Sequence, residues 1–322
     1  MSSVSLSQPG KYTTVRASLD IAHCLESKYL KPEENCQVYG KCNRRGGHGH
    51  RWTVSITAKY ISESDLAQLV KEAIEDNFDH RNLNLEESCP HMAGIVPTVE
   101  NFAYVSMALL KEAFVRAQRN PFDLVRIRVF ETRTGSTVWD PAPADIERLH
   151  VGEYDCLQKL SPLTPVMRIA KRIEIWHEHD SIPADVDDGA LWRVEGPGAG
   201  MSGNAVCLDL VASSPLNTRK GMIENLCTIK DIITSAYRGW KSASEANKQL
   251  HPRNMSINDL REILRLCIAD AEKRRASDEI YADLDPAIIY GLHWEHEYAV
   301  QNPRDGTVQS VIRQFAVNRS EL

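Results

Sequence analysis

Apolar and polar residues alternate through residues 11–24, the period that buries one face of a strand, and the run ends near His23. Residues 26–39 are polar and read as a loop. Residues 50–60 (His-Arg-Trp-Thr-Val-Ser-Ile-Thr-Ala-Lys-Tyr) are rich in β-branched and aromatic side chains and predict a second strand. Ser62 or Ser64 then caps a helix in which Leu66, Leu69, Val70, Ala73 and Ile74 recur at helical spacing. That helix runs out into Phe78-Asp79-His80-Arg81-Asn82-Leu83-Asn84. After a loop holding Pro90 and Pro97, Thr98 caps a second helix with an apolar stripe of Phe102, Val105, Leu109, Ala113 and Phe114. Glu100 falls in its first turn, where the helix dipole favours an acid. Residues 124–131 alternate cleanly, and a turn at Thr134-Gly135 leads to a strand over 136–140.

The same order recurs further on. Residues 141–165, with prolines at 141, 143, 162 and 165, form a linker with a strand-like piece at 149–154. Strands are predicted at 167–176 and 204–213, helices at 223–236 and 255–274, and strands at 288–299 and 307–317, the last two joined by a turn at 303–306. Ser256 or Asn258 caps the longer helix, whose stripe is Leu260, Ile263, Leu264 and Cys267. Two copies of one ββααββ unit describe this economically. The class is α+β, with a disordered lead-in at 1–10, one repeat at 11–160 and a second at 161–322.

Composition narrows the function classes. A chain of 322 residues accommodates two domains, and 42% hydrophobic with 25% charged residues is ordinary for a globular protein. The net charge of -6 argues against a nucleic-acid partner. No apolar run approaches the roughly 20 residues needed to span a bilayer, so no membrane role is expected. The N-terminus has neither the basic region nor the apolar core of a secretory signal. Eight cysteines, scattered without a CxxC pair, read as reduced thiols of a cytoplasmic protein.

Candidate chemistry gathers at Tyr39-Gly-Lys-Cys42-Asn-Arg-Arg-Gly-Gly-His48-Gly-His50-Arg-Trp52. On a strand His48 and His50 point to one face and can offer two imidazoles to one metal ion. Zinc prefers histidine nitrogen and often takes three protein ligands in catalytic sites, and His23 is the candidate third. Cys42, beside a metal and imidazoles, could act as a base or nucleophile. Asp79-His80 is either a proton relay or the closure of a helix. Glu131 is either a strand-end charge or a carboxylate that accepts paired hydrogen bonds from an aminopyrimidine edge. Lys41, Arg44, Arg45 and Arg51 are either a solvated loop or a positive field for a polyphosphate.

His23, Gly40-Lys41-Cys42-Asn43, Gly47-His48-Gly49-His50, Asp79-His80-Arg81-Asn82-Leu83, Thr98-x-Glu100-Asn101 and Val129-Phe130-Glu131-Thr132 together resemble the 6-pyruvoyl-tetrahydropterin synthase family over residues 11–140. Glu33-Glu34-Asn35 upstream fits the same pattern. The five residues between Cys42 and His48 are similar to the pyruvoyl branch rather than to the 6-carboxytetrahydropterin synthases. The resemblance implies a tunnelling fold, a four-stranded antiparallel sheet with two helices on one face, assembled into barrels as a homo-oligomer with sites between subunits. It implies zinc on His23, His48 and His50, Cys42 as general base assisted by Asp79 and His80, and a pterin held by Glu131 with Thr98 and Glu100. The implied activity is a lyase of tetrahydrobiopterin biosynthesis that eliminates triphosphate from 7,8-dihydroneopterin triphosphate with internal redox. Val99 replaces a hydroxyl residue common in the family.

The second half keeps the scaffold pattern alone. Lys220-Gly-Met-Ile-Glu-Asn-Leu resembles the family's lead into its first helix, but Gly203-Asn204-Ala205 stands where the glycine-histidine motif should fall. His177 and His179 lack partners, and Glu295 or Glu297 stands near the place of Glu131. A metal-free structural repeat is expected. Two alternatives compete with the leading activity: the same machinery acting on another pterin or purine-derived substrate, and a non-catalytic zinc- or pterin-binding protein.

Overall fold

Strand β1 (Tyr12–His23) buries every second residue, from Thr13 through Leu19 and Ile21 to His23. It pairs antiparallel with β2 (His48–Lys59), in a register that sets His23 opposite His48 and Ile21 opposite His50. The computed structural model describes residues 12–149, 165–176, 205–217, 219–250, 252–277, 289–301 and 308–322. The lead-in at 1–10, His177, His179 and the turn at 303–306 lie outside the described residues, as does nearly all of the strand-like piece at 149–154.

The chain divides into two units. One comprises Met1–Thr132, Ser136–Arg168 and Ser214–Ile223; the other comprises Arg133–Gly135, Ile169–Ser213 and Glu224–Leu322. In the first unit the strands run in the order β3 (Arg81–Asn82), β1, β2, β4 (Leu124–Thr132) and β5 (Gly135–Trp139). β3 is the short parallel edge strand; β1, β2 and β4 are antiparallel neighbours.

Three helical segments join these strands. Helix α1 (Pro32–Tyr39) fills the stretch predicted as loop. Helix α2 (Glu63–Val70) starts at the predicted cap, with Ser62 Oγ accepting from the Asp65 N–H at 3.1 Å, and continues through a π-helical turn, Lys71–Glu75, to Asp76–Phe78. Helix α3 (Val99–Arg116) starts at the predicted Thr98 cap, whose hydroxyl accepts from the Asn101 N–H at 3.2 Å. The core lies on the sheet face that carries Trp52, Val54 and Ile56. Trp52 and Phe102 meet edge-to-face at 5.1 Å, and Phe78 meets Phe102 at 4.8 Å. Each such large apolar side chain contributes about 2–3 kcal/mol when buried.

A short helix, α4 (Pro143–Arg148), lies in the predicted linker. The second unit has strands β6 (Val166–Trp176), β7 (Ala205–Pro215), β8 (Ile289–Gln301) and β9 (Val308–Asn318) in that order, with β7–β8 and β8–β9 antiparallel. Its helices are α5 (Leu226–Ser242), capped by Asn225, the unpredicted α6 (Glu245–Gln249), and α7 (Ile257–Ser277). None of the seven described cysteines is in a disulfide with another described residue. Among the described residues no helix is long and apolar enough to cross a membrane.

Candidate metal and pterin site

At one end of the first sheet β1 and β2 bring three imidazoles together. Ring centroids lie 4.6 Å apart for His23 and His48, 4.7 Å for His48 and His50, and 5.3 Å for His23 and His50. One ligand nitrogen from each lies within 4.8 Å of the others. The approach depends on Gly47, which has φ +70 and whose added Cβ would sit 2.7 Å from the His23 carbonyl oxygen.

The donor set fits a metal ion. His23 Nδ1 donates to the Pro97 carbonyl at 2.8 Å, which leaves Nε2 with its lone pair aimed into the cluster. Buried His23 Nε2 and His48 Nδ1 make no hydrogen bond to any described residue. Burial holds the His23 imidazole down at about 4, against a smaller opposing effect of the Pro97 hydrogen bond. His48 is lowered as well, first by burial; the Glu131 carboxylate opposes this and the Arg44 cation adds to it. Both rings are therefore neutral near pH 7, the form a metal requires.

Glu131 reaches this cluster from β4, with Oε1 3.7 Å from His23 Nε2. Thr98 follows Pro97, whose carbonyl orients His23, and both Thr98 and Glu100 are buried at the start of α3. Cys42 lies half-buried in the 3-10 turn Gly40–Asn43, tied to the end of β1 by a Leu25 N–H donated to its carbonyl at 2.8 Å. Nearby Cys24 has its thiol pushed up by burial and by Glu26, so it stays protonated.

Asp79 and His80 stand elsewhere. The Asp20 N–H donates to Asp79 Oδ1 at 2.8 Å, and the His80 N–H donates to the Asp20 carbonyl at 2.7 Å. His80, at φ +57, keeps Nδ1 3.0 Å from Asp79 Oδ2. Asp20 alternates with buried Leu19 and Ile21, so its side chain is on the sheet face opposite His23. The Asp20 carboxylate takes a bidentate bond from Arg51, at 2.7 and 2.8 Å, and Arg51 holds it below the usual carboxylate range. Arg51, read from sequence as part of a positive loop, is thus paired with an acid.

Sequence reasoning missed the Pro97 carbonyl, the Asp20–Arg51 pair and the backbone contacts of residues 219–223. Only the last carried a signal, the Lys220-Gly-Met-Ile-Glu-Asn-Leu text.

Residues 12–141 match the family described as 6-pyruvoyl tetrahydropterin synthase. The 6-pyruvoyl tetrahydrobiopterin synthase of Homo sapiens is 34% identical over 134 residues, covering 38% of this chain and 87% of that protein. A putative 6-pyruvoyl tetrahydrobiopterin synthase of Caenorhabditis elegans is 35% identical over 123 residues, covering 36% and 84%. The solved structure of Caenorhabditis elegans 6-pyruvoyl tetrahydropterin synthase aligns with 25% identity and a TM-score of 0.37, over 41% of this chain and 96% of that one. Matching the family over residues 12–141 and relatives at 34% and 35% identity across 87% and 84% of their length, the chain belongs to the 6-pyruvoyl tetrahydropterin synthase family.

Proposed function

We propose that the protein is a zinc-dependent lyase that converts 7,8-dihydroneopterin triphosphate to 6-pyruvoyl-tetrahydropterin with loss of triphosphate, in tetrahydrobiopterin biosynthesis. The observation that carries this reading is the His23–His48–His50 cluster lying against the Glu131 carboxylate. His23, His48 and His50 would hold the ion, which when bound supplies a Lewis acid for the side-chain oxygens of the pterin. Glu131 accepts hydrogen bonds from the amino and ring N–H groups of the pterin, and the α3 N-terminus with Thr98 and Glu100 shapes the ring pocket. Cys42 takes a proton from the substrate side chain, and the internal redox returns protons to the same carbon skeleton, so no external reductant is consumed. Arg44, close enough to His48 to bear on its charge, favours an anionic triphosphate.

Asp79 and His80 form the proton relay. Because the Asp20 backbone holds them at the edge of β1 beside the Asp20–Arg51 pair, they would serve a site completed by another copy of the chain, in a homo-oligomer. In this reading residues 11–160 are the catalytic repeat and 161–322 a structural repeat without metal. The test is incubation of the zinc-loaded full-length protein with 7,8-dihydroneopterin triphosphate, following triphosphate release and the pterin product together. Stoichiometric release with 6-pyruvoyl-tetrahydropterin supports the reading; a zinc-loaded protein that releases no triphosphate contradicts it.

A further inference from the structure

Within the first unit, residues 217 and 219–223 form a turn that contacts the start of α3 on one side and the segment leading to Cys42 on the other. Asn217 and Met222 close it as an antiparallel bridge, and the Gly221 N–H donates to the Asn217 carbonyl at 2.7 Å. Asn217 Oδ1 accepts from the N–H groups of Arg219 and Lys220, at 3.1 Å each. Gly221 has φ +67, and a Cβ there would meet Asn101 Nδ2 at 2.5 Å and Val96 Cβ at 3.1 Å. The turn is seated against the α3 N-terminus with no space for a side chain.

On that side the Thr98 hydroxyl donates to the Gly221 carbonyl, and the Ile223 N–H donates to Glu100 Oε1 at 3.1 Å. Glu100 is only 3% exposed, so this bond is made away from water. On the other side the Tyr39 hydroxyl donates to the Lys220 carbonyl at 2.7 Å, the Ser27 hydroxyl donates to the Arg219 carbonyl, and the Arg219 guanidinium donates to the Tyr29 carbonyl at 3.2 Å. Met222 is buried with Leu25, Tyr39 and Val96, and Cys42 packs against that cluster. The loop it touches, Val96-Pro97-Thr98, also supplies the carbonyl that orients His23.

We infer that this turn is a positioning element for the site: it fixes the Cys42 loop and the Thr98–Glu100 helix end relative to each other. Residues 219–223 lie outside the family-matching stretch, so that stretch alone is an incomplete site. Met222 positions Cys42 by filling the cluster beneath it, and the Ile223 N–H and Gly221 carbonyl position Glu100 and Thr98. None of these groups is a catalytic residue.

The inference rests on the functional reading above, and its test separates the two. In the zinc-loaded full-length protein, Met222→Ala and Met222→Leu are compared with wild type for kcat and KM separately, for zinc content, and for the rate of Cys42 alkylation by iodoacetamide, located by peptide mass. Met222→Ala is expected to speed Cys42 alkylation and lower kcat, each by about tenfold. Zinc content should hold, and Met222→Leu, which conserves volume, should restore both within about threefold. A folded Met222→Ala protein with wild-type alkylation and kinetics overturns the inference, as does a loss that Met222→Leu fails to restore. Should Met222→Ala not fold, Tyr39→Phe, which deletes only the hydroxyl bonded to Lys220, is measured the same way. A KM raised about threefold supports the inference, and an unchanged KM overturns it. Wild-type protein that releases no triphosphate sinks the functional reading instead, and the alkylation rates still decide the role of the turn.

Discussion

The two units share a strand-pairing irregularity but differ at the residues that could do chemistry. In the first, β2 pairs with β4 and the register shifts between Thr57 and Ala58, whose partners are Arg126 and Leu124. In the second, β7 pairs with β8 and the register shifts between Val211 and Ala212, whose partners are Gly291 and Ile289. Aligned on this bulge, Val54 opposite Val129 corresponds to Leu208 opposite Trp294. Two residues further along the partner strand, the position of Glu131 is taken by His296, between the two glutamates that sequence reasoning favoured. The same alignment puts Asn204 and Ser202, outside the described residues, in the sequence positions of His50 and His48. Strand pairing needs only backbone and an apolar face, so it places no demand on which residues stand at those positions.

The largest effect is expected from Cys42→Ala, which should cut kcat by roughly 10²–10⁴ while leaving zinc content unchanged; steady-state kinetics with metal analysis checks both. Next is the acid sensitivity of metal-free protein. His23 is held at about 4 in the fold and titrates near its ordinary value of 6.5 when unfolded. The unfolded state thus takes the proton first. Stability is full above about 6.5 and is lost as the pH falls toward about 4, by roughly 3 kcal/mol. Urea unfolding across that range should show this slope in wild type and a shallower one in His23→Asn, where buried His48 still titrates.

A smaller effect follows from Gly47→Val. Its Cβ must push against the His23 carbonyl, 2.7 Å away, and spread His23 from His48. Zinc affinity should weaken about 10–100-fold, the range for disturbed ligand orientation, as read by competition with a chelating dye. The smallest effect belongs to the second unit. Asp209 holds a bidentate bond from Arg172, with both distances 2.8 Å and both groups mostly buried. Asp209→Asn should cost about 1 kcal/mol in thermal or urea unfolding, while turnover per folded protein stays at wild type.

How much of this was legible depends on which physical signal each feature carries. The strands and the helices capped by Ser62 and Thr98 announce themselves by period and by cap chemistry. Helix α1 does not, because it buries only Asn35 and Tyr39 and so has no apolar stripe. It is held instead by Asn35, which accepts from the Ser27 N–H at 2.7 Å and donates to the Ser27 and Leu30 carbonyls at 3.0 Å each. The histidine cluster was readable because His48 and His50 share a strand face and His23 ends the neighbouring strand. The turn at residues 219–223 was not, since its bonds are made by backbone atoms to residues 123 and 181 positions away. No local pattern records such contacts. Asp79 and His80 were legible as a pair, but their place at the edge of β1 follows only from hydrogen bonds to the Asp20 backbone.

In the proposed reading this chain carries its scaffold pattern twice and its chemistry once. Zinc content per folded chain, measured by atomic spectroscopy on wild type and His48→Ala after removal of loosely bound metal, tests it most directly. The account predicts one ion per wild-type chain and almost none in His48→Ala. Two ions per chain, or one that persists in His48→Ala, would contradict it.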